Sequence, residues 1–197
     1  MCNHYKHPNE WRELPRDLQG KVMLPASNQA DMWPGSYGPV VRSVDGAMVA
    51  ETMRWGFPTS RPGKRDPSKM ITTYWTNARN LDVSLWRGWI GKAEHRCLVP
   101  VTVFAEPDPT KGKRGETWFG TTDRKAPGFV FAGLWKPTSE GAHFAFLTCA
   151  PNDKVGAIHP KAMPVILAPE DYDDWLSGAP AGRFQVAFFD EAICVLA

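Results

Sequence analysis

Pro39-Val40-Val41-Arg42-Ser43-Val44-Asp45-Gly46-Ala47-Met48-Val49-Ala50-Glu51-Thr52-Met53-Arg54-Trp55-Gly56 reads as two strands folded back on each other. Apolar and β-branched residues fill both halves. Asp45-Gly46 between them supplies the pair that tolerates the left-handed backbone of a two-residue hairpin turn. Working outward, Arg61 to Ser68 is a loop by its Pro, Gly and charge content. Leu81, Leu85 and Trp89 recur at the spacing of one helical face. Strands are expected at Cys97 to Ala105, Gly128 to Leu134, His143 to Cys149 and Pro164 to Leu167. A helix from Pro169, with Pro in its first turn, ends near Gly178. Phe184 to Phe189 and Ala192 to Leu196 again read as strands. Upstream, the first thirty residues are polar and Pro-interrupted, with short helical turns around Glu10 to Leu14. Strands dominate, and few helices are available for parallel crossovers. The expectation is an α+β domain, residues 1–197, with a mainly antiparallel, curved or barrel-like sheet core and a few flanking helices.

A chain of 197 residues with 43% hydrophobic and 22% charged residues is ordinary for one folded domain with a proper core. Its net charge is only +2, which excludes a uniformly basic nucleic-acid binder. Positive charge is instead bunched in two loops, Arg61, Lys64, Arg65 and Lys69 in one and Lys111, Lys113 and Arg114 in the other. Either could touch phosphates, although solvated loop charge is the plainer reading of each alone. Cys97, Cys149 and Cys194 each sit in an apolar run, as buried reduced thiols do. No CxxC spacing points to zinc. There is no apolar signal region and no apolar run of the roughly 18 residues a membrane span requires. These features point to a cytoplasmic protein, expected as a monomer without a membrane partner.

Four places carry chemically suggestive residues. Met1-Cys2 is a good substrate for methionine removal, which leaves a cysteine bearing an α-amine beside its thiol. The α-amine titrates near about 8, so part of it is neutral and nucleophilic at neutral pH and can condense with an aldehyde. The thiol can then close a five-membered thiazolidine ring intramolecularly. By itself a cysteine at position 2 carries little weight. Asn77 and Arg79, in Thr76-Asn77-Ala78-Arg79, offer an amide for a hydroxyl or amine and a fork for phosphate; the plainer alternative is an Asn cap before the helix near Leu81. Glu106 ends the apolar run Val99 to Ala105, where partial desolvation would raise its pKa and suit it to proton transfer, unless it is a surface residue at a strand end. His159 lies among small, apolar and Pro residues in a rigid loop, as a catalytic or a structural histidine.

Together, in this order and spacing, Met1-Cys2, Asn77-Ala78-Arg79, Glu106 after Cys97-Leu98-Val99-Pro100, and Ile158-His159 before Met163-Pro164-Val165-Ile166-Leu167 resemble the SOS response-associated peptidase (SRAP) family. Arg54-Trp55-Gly56-Phe57 and Trp33-Pro34-Gly35 extend the resemblance over nearly the whole chain. It implies capture of abasic sites in single-stranded DNA as a thiazolidine crosslink. Cys2 would be the nucleophile, and Asn77 would hold the sugar and amine. Glu106 would assist proton transfers, and His159 would act on ring opening or the adjacent phosphate. Arg79 would anchor a phosphate and Pro34 would shape the DNA-facing wall. No metal or organic cofactor is called for.

This chain also departs from the family. Asn3-His4 replace Gly-Arg after the cysteine, so Asn3 takes that DNA-facing place. Lys161 replaces an Arg as a point charge, and Pro107 follows Glu106 where a Trp is frequent. A Trp pair ahead of the Asn is absent, Lys69 and Met70 standing there, which leaves Trp75, Tyr74 or Trp33 to stack on a base. Two other readings stay open. One is a cysteine-type (auto)peptidase using Cys2, His159 and Glu106. The other is a transition-metal module through Cys2, His4 and His7.

Overall fold

The computed structural model describes residues 2–25, 30–123 and 127–196. Its strands, in chain order, are β1 (His4–Lys6), β2 (Asp31–Met32), β3 (Tyr37–Val44), β4 (Ala47–Trp55), β5 (Phe57–Pro62), β6 (Met70–Trp75) and β7 (Asn77–Ala78). They continue with β8 (Arg96–Val101), β9 (Val103–Pro107), β10 (Glu116–Thr121), β11 (Phe129–Thr138), β12 (Gly141–Cys149), β13 (Met163–Pro164) and β14 (Ile193–Val195). The α-helices are α1 (Ser84–Ile90), α2 (Asp153–Gly156) and α3 (Tyr172–Leu176). None is long and apolar enough to cross a membrane.

The β3–β4 hairpin forms as expected, with register Val44↔Ala47 and positive φ at both turn residues, Asp45 (51°) and Gly46 (80°). It anchors a ring. β3 meets β8, β8 pairs with β11, β11 with β12, and β12 returns to β4, so five strands close into a barrel-like sheet. A second sheet runs β14-β10-β9-β1-β2, antiparallel throughout. Aromatic rings join the two sheets. Tyr5 of β1 lies 4.9 Å from Trp55 and 6.0 Å from Phe146, and Phe104 of β9 lies 5.7 Å from Phe131. These large buried rings supply much of the apolar burial that drives folding.

Several boundaries differ from the sequence expectations. The run Cys97 to Ala105 is not one strand but two, because it turns a corner from the barrel into the second sheet at Thr102. The Thr102 backbone N–H and hydroxyl both donate to the Lys6 carbonyl (2.8 and 3.1 Å), replacing the ladder bonds lost at the bend. Gly128 sits against that corner at φ +90°, where a Cβ would come within 2.2 Å of the Val101 carbonyl oxygen, so only glycine fits. The helix near Leu81 begins later, at Ser84, and Asn77 is a strand residue rather than its cap. Phe184 to Phe189 is not a strand. Ala181–Phe184 is a 3-10 turn, and the carbonyls beyond it accept from side chains, Val186 from the Cys149 thiol (3.2 Å) and Phe188 from the Asn152 amide (3.0 Å). Pro164 is the last residue of β13 rather than the start of a strand, and β12 pairs in parallel with β4 and with β7.

Candidate active site

Antiparallel pairing of β1 with β9 matches His4 with Ala105, so the chain just before β1 runs alongside Glu106. Cys2 and Asn3 are therefore delivered to the end of β9. From another direction β7, held in parallel on β12 by the register Phe146↔Asn77, brings in Thr76 and Asn77. The Asn77 amide donates to the Cys2 carbonyl (2.9 Å), to the Thr76 hydroxyl (2.8 Å) and to the Asn3 side-chain oxygen (3.3 Å), and the Thr76 hydroxyl donates to that same Asn3 oxygen (3.1 Å). The Asn77 side-chain oxygen is buried and accepts no hydrogen bond from the described residues. Such an atom usually has a partner, so it is a place for a donor to arrive.

The fourth contributor is the turn after α2. Asn152 caps that helix through its side-chain oxygen, which accepts from Val155 N–H (2.9 Å), and the His159 N–H donates to the Val155 carbonyl (2.8 Å). This fixes the backbone from which the His159 ring reaches Glu106, with Nδ1 3.2 Å from the carboxyl oxygen and 3.0 Å from the Ala162 carbonyl. A carbonyl can only accept, so Nδ1 carries the proton and Nε2 of the neutral ring keeps a lone pair.

Electrostatics follow burial. Glu106 is fully buried, and desolvation pushes its pKa up to about 8, leaving it largely protonated at neutral pH. Burial, helped by the nearby Lys161 charge, holds His159 below the ordinary imidazole value. The Cys2 thiol is pushed up, chiefly by burial and next by the Glu106 charge. The site thus contains a proton donor, a neutral base and a thiol, each held in a low-polarity setting.

Of the residues singled out from sequence, Cys2, Asn3, Asn77, Glu106 and His159 converge. Arg79, Pro34 and Lys161 are exposed, and among the described residues no hydrogen bond or ion pair ties them to that cluster. Pro34 opens the turn Trp33 to Ser36, in which Gly35 takes φ +91° and the Ser36 N–H donates to the Trp33 carbonyl (2.8 Å). Met1 lies outside the described residues. Among the described residues no group of metal-ligating side chains forms around Cys2, His4 and His7: His4 faces Glu116 (2.8 Å) and Asp31 (3.2 Å), while His7 Nδ1 faces the Pro8 carbonyl (2.8 Å). Thr76 escaped the sequence reading, since a threonine before Asn77 signals nothing until the β7–β12 pairing turns it toward Asn3. Cys97 and Cys149 are buried free thiols as expected, and Cys194 is partly exposed.

The SOS response associated peptidase (SRAP) family model matches residues 1–188. No match was found among curated proteins. Among solved structures, a Bordetella bronchiseptica protein is similar at 27% identity and TM-score 0.76, with all of both chains covered. A Bacteroides thetaiotaomicron protein (18% identity, TM-score 0.74, 100% of this chain and 92% of the other) shares the fold. So does a phage-related protein of Bordetella bronchiseptica (20% identity, TM-score 0.69, 99% of this chain and 93% of the other).

Proposed function

The chain belongs to the SOS response associated peptidase family, and we propose that it captures abasic sites in single-stranded DNA, in the DNA damage response, through Cys2 as its first residue. One observation carries the reading: Cys2, Asn77, Glu106 and His159 converge from four separate parts of the chain, with Asn77 gripping the Cys2 carbonyl and Glu106 meeting His159.

The chemistry balances without a cofactor. An abasic deoxyribose opens to an aldehyde. The neutral α-amine of Cys2 adds to the aldehyde carbon, and water leaves as the imine forms. The thiol then adds to the imine carbon while its proton passes to nitrogen, closing a thiazolidine. Glu106, protonated at neutral pH, gives the proton that departs with water. His159, a neutral ring whose basic nitrogen is Nε2, takes the sugar hydroxyl proton that opens the ring. The unfilled Asn77 oxygen accepts from the amine or a sugar hydroxyl. A peptidase instead needs a ready thiolate, and burial beside a carboxyl disfavours that form at Cys2. Attack by the amine first does not require it.

Intact-mass measurement tests this. Met1-processed protein incubated with an oligonucleotide carrying one abasic site should gain the oligonucleotide mass less one water, mapped by fragmentation to Cys2. An adduct mapped to a lysine would overturn the reading.

A further inference from the structure

Beside the cluster lies an open groove of about 620 Å³ lined by Asn3, Trp33, Pro107, Lys113, Arg114 and Glu116. Two of its walls, Asn3 and Pro107, are the chain neighbours of Cys2 and Glu106, so it lies at the same β1 and β9 strand ends that carry those residues. Its cations come from the β9–β10 connection, which ends where Glu116 begins β10. Its aromatic wall is Trp33, 46% exposed.

Trp33 is unusually well held. One ring face rests on His4, with centroids 3.8 Å apart and planes at 24°. His4 in turn is fixed by Glu116 and Asp31 at its two nitrogens and by the edge-on ring of Trp118 at 4.5 Å. Glu116 is thereby directed to His4. The turn Trp33 to Ser36 is tied to the barrel by Gly35, whose N–H donates to the Trp55 carbonyl (2.8 Å). A rigid, half-exposed ring with one face covered presents the other to the groove.

The other aromatic candidates do not combine these features. Tyr74 is covered by the Arg54 guanidinium at 4.6 Å and faces His143. Trp75 is exposed, but its N–H is tied to the Thr59 hydroxyl (3.0 Å), and its depression is lined by Thr59, Ser60, Arg61, Thr73 and Tyr74, with one cation and no neighbour of Cys2 or Glu106.

Resting on the capture reading above, we propose that this groove binds the nucleotide adjoining the captured sugar: its base stacks on Trp33, its phosphate meets Lys113 and Arg114, and His4 is the residue that positions the Trp33 ring. A π-face accepts any base, and two cations at a groove rim match a backbone phosphate, so the contact is independent of sequence. The other basic cluster, Lys64, Arg65 and Lys69, lies in the connection at the far end of the β5–β6 hairpin and does not line this groove. It takes no part in this contact.

The test uses Met1-processed protein and single-stranded oligonucleotides containing a tetrahydrofuran, an abasic analogue that cannot form an imine, with 2-aminopurine on either side of it. Wild type should quench 2-aminopurine on one side. Trp33→Ala should lose that quench and weaken binding at least about fivefold, while Trp33→Phe keeps most of both. His4→Ala should reduce the quench while binding persists, because it loosens the ring without removing it. Lys113→Ala with Arg114→Ala should lower the slope of log affinity against log salt by about 1, and Lys64→Ala with Arg65→Ala should leave it unchanged. If wild type crosslinks a true abasic site but Trp33→Ala binds and quenches as wild type does, the groove assignment falls and the capture reading stands. If Trp33-dependent quenching appears without crosslinking, the groove stands and the capture chemistry falls. Absence of any binding by wild type overturns both.

Discussion

Arg96 and Glu106 are both buried charged residues, ten positions apart on consecutive strands, yet their settings are opposite. The Arg96 guanidinium donates to backbone carbonyls of Ile90 (2.9 and 3.2 Å), Trp175 (3.1 Å) and Ala179 (2.6 Å) and lies 4.3 Å from the Trp175 ring. It stitches β8 to the ends of α1 and α3. Glu106 meets a histidine that is itself held neutral, and burial drives it toward the protonated form. Burial of charge alone therefore does not mark a functional residue; the kind of partner does. Carbonyls that complete a cation make structure, whereas a titratable neighbour beside an open acceptor makes a reactive site.

Substitution should separate the two most sharply. Glu106→Gln should slow capture by about 100-fold or more, since general acid–base groups typically contribute 10²–10⁴, while the protein stays folded by circular dichroism. Arg96→Ala should do the reverse. It strands the carbonyls of Ile90, Trp175 and Ala179 and should cost roughly 3–5 kcal/mol in denaturant unfolding, with Arg96→Lys recovering part. Folded molecules of either Arg96 variant should capture at the wild-type rate; a capture defect there would collapse the distinction.

A smaller effect sharpens the same contrast through pH. The folded-state pKa of Glu106, about 8, exceeds the ordinary value of roughly 4.3 for a solvated glutamate. Between those values the folded protein keeps a proton that the unfolded chain releases, so this residue's contribution to stability is lost as pH rises from about 4.5 to 8. Glu106→Gln should therefore melt several degrees above wild type at pH 8 and nearly level with it at pH 5. The capture rate of wild type should fall above pH 8 as the donor is lost, a limb the Gln variant lacks. Smallest of all should be the half-exposed Arg42–Glu51 pair on the β3–β4 hairpin, bidentate at 2.8 Å. Screening limits it to less than about 1 kcal/mol on Arg42→Ala.

The sequence carried the β3–β4 hairpin because a turn written Asp45-Gly46 has few other uses. It marked Glu106 as a carboxyl ending an apolar run but left a surface place at the strand end equally open, and its full burial is visible only in the structure. It did not carry the corner at Thr102, since a run of apolar residues reads alike whether it stays in one sheet or changes sheets. The barrel closure likewise depends on β11 pairing on both sides, which no local pattern encodes. The Phe184 to Phe189 error has the same root: alternating apolar residues imply a half-buried extended chain, and here side chains of Cys149 and Asn152 rather than a neighbouring strand satisfy its carbonyls. Cys2, Asn77 and His159 stood out only as a set, through likeness to a family. Trp33 could not be preferred over Trp75 or Tyr74 until its support by His4 was visible.

The central claim is that the amine and thiol of Cys2 join this protein to an abasic sugar. The most direct measurement is a denaturing gel of Met1-processed wild type and Cys2→Ala, each incubated with single-stranded DNA bearing one abasic site. The account predicts a slow-migrating band for wild type that requires the abasic site and is absent for Cys2→Ala. A band retained by Cys2→Ala, or no band from wild type whose free Cys2 has been verified by mass, would contradict it.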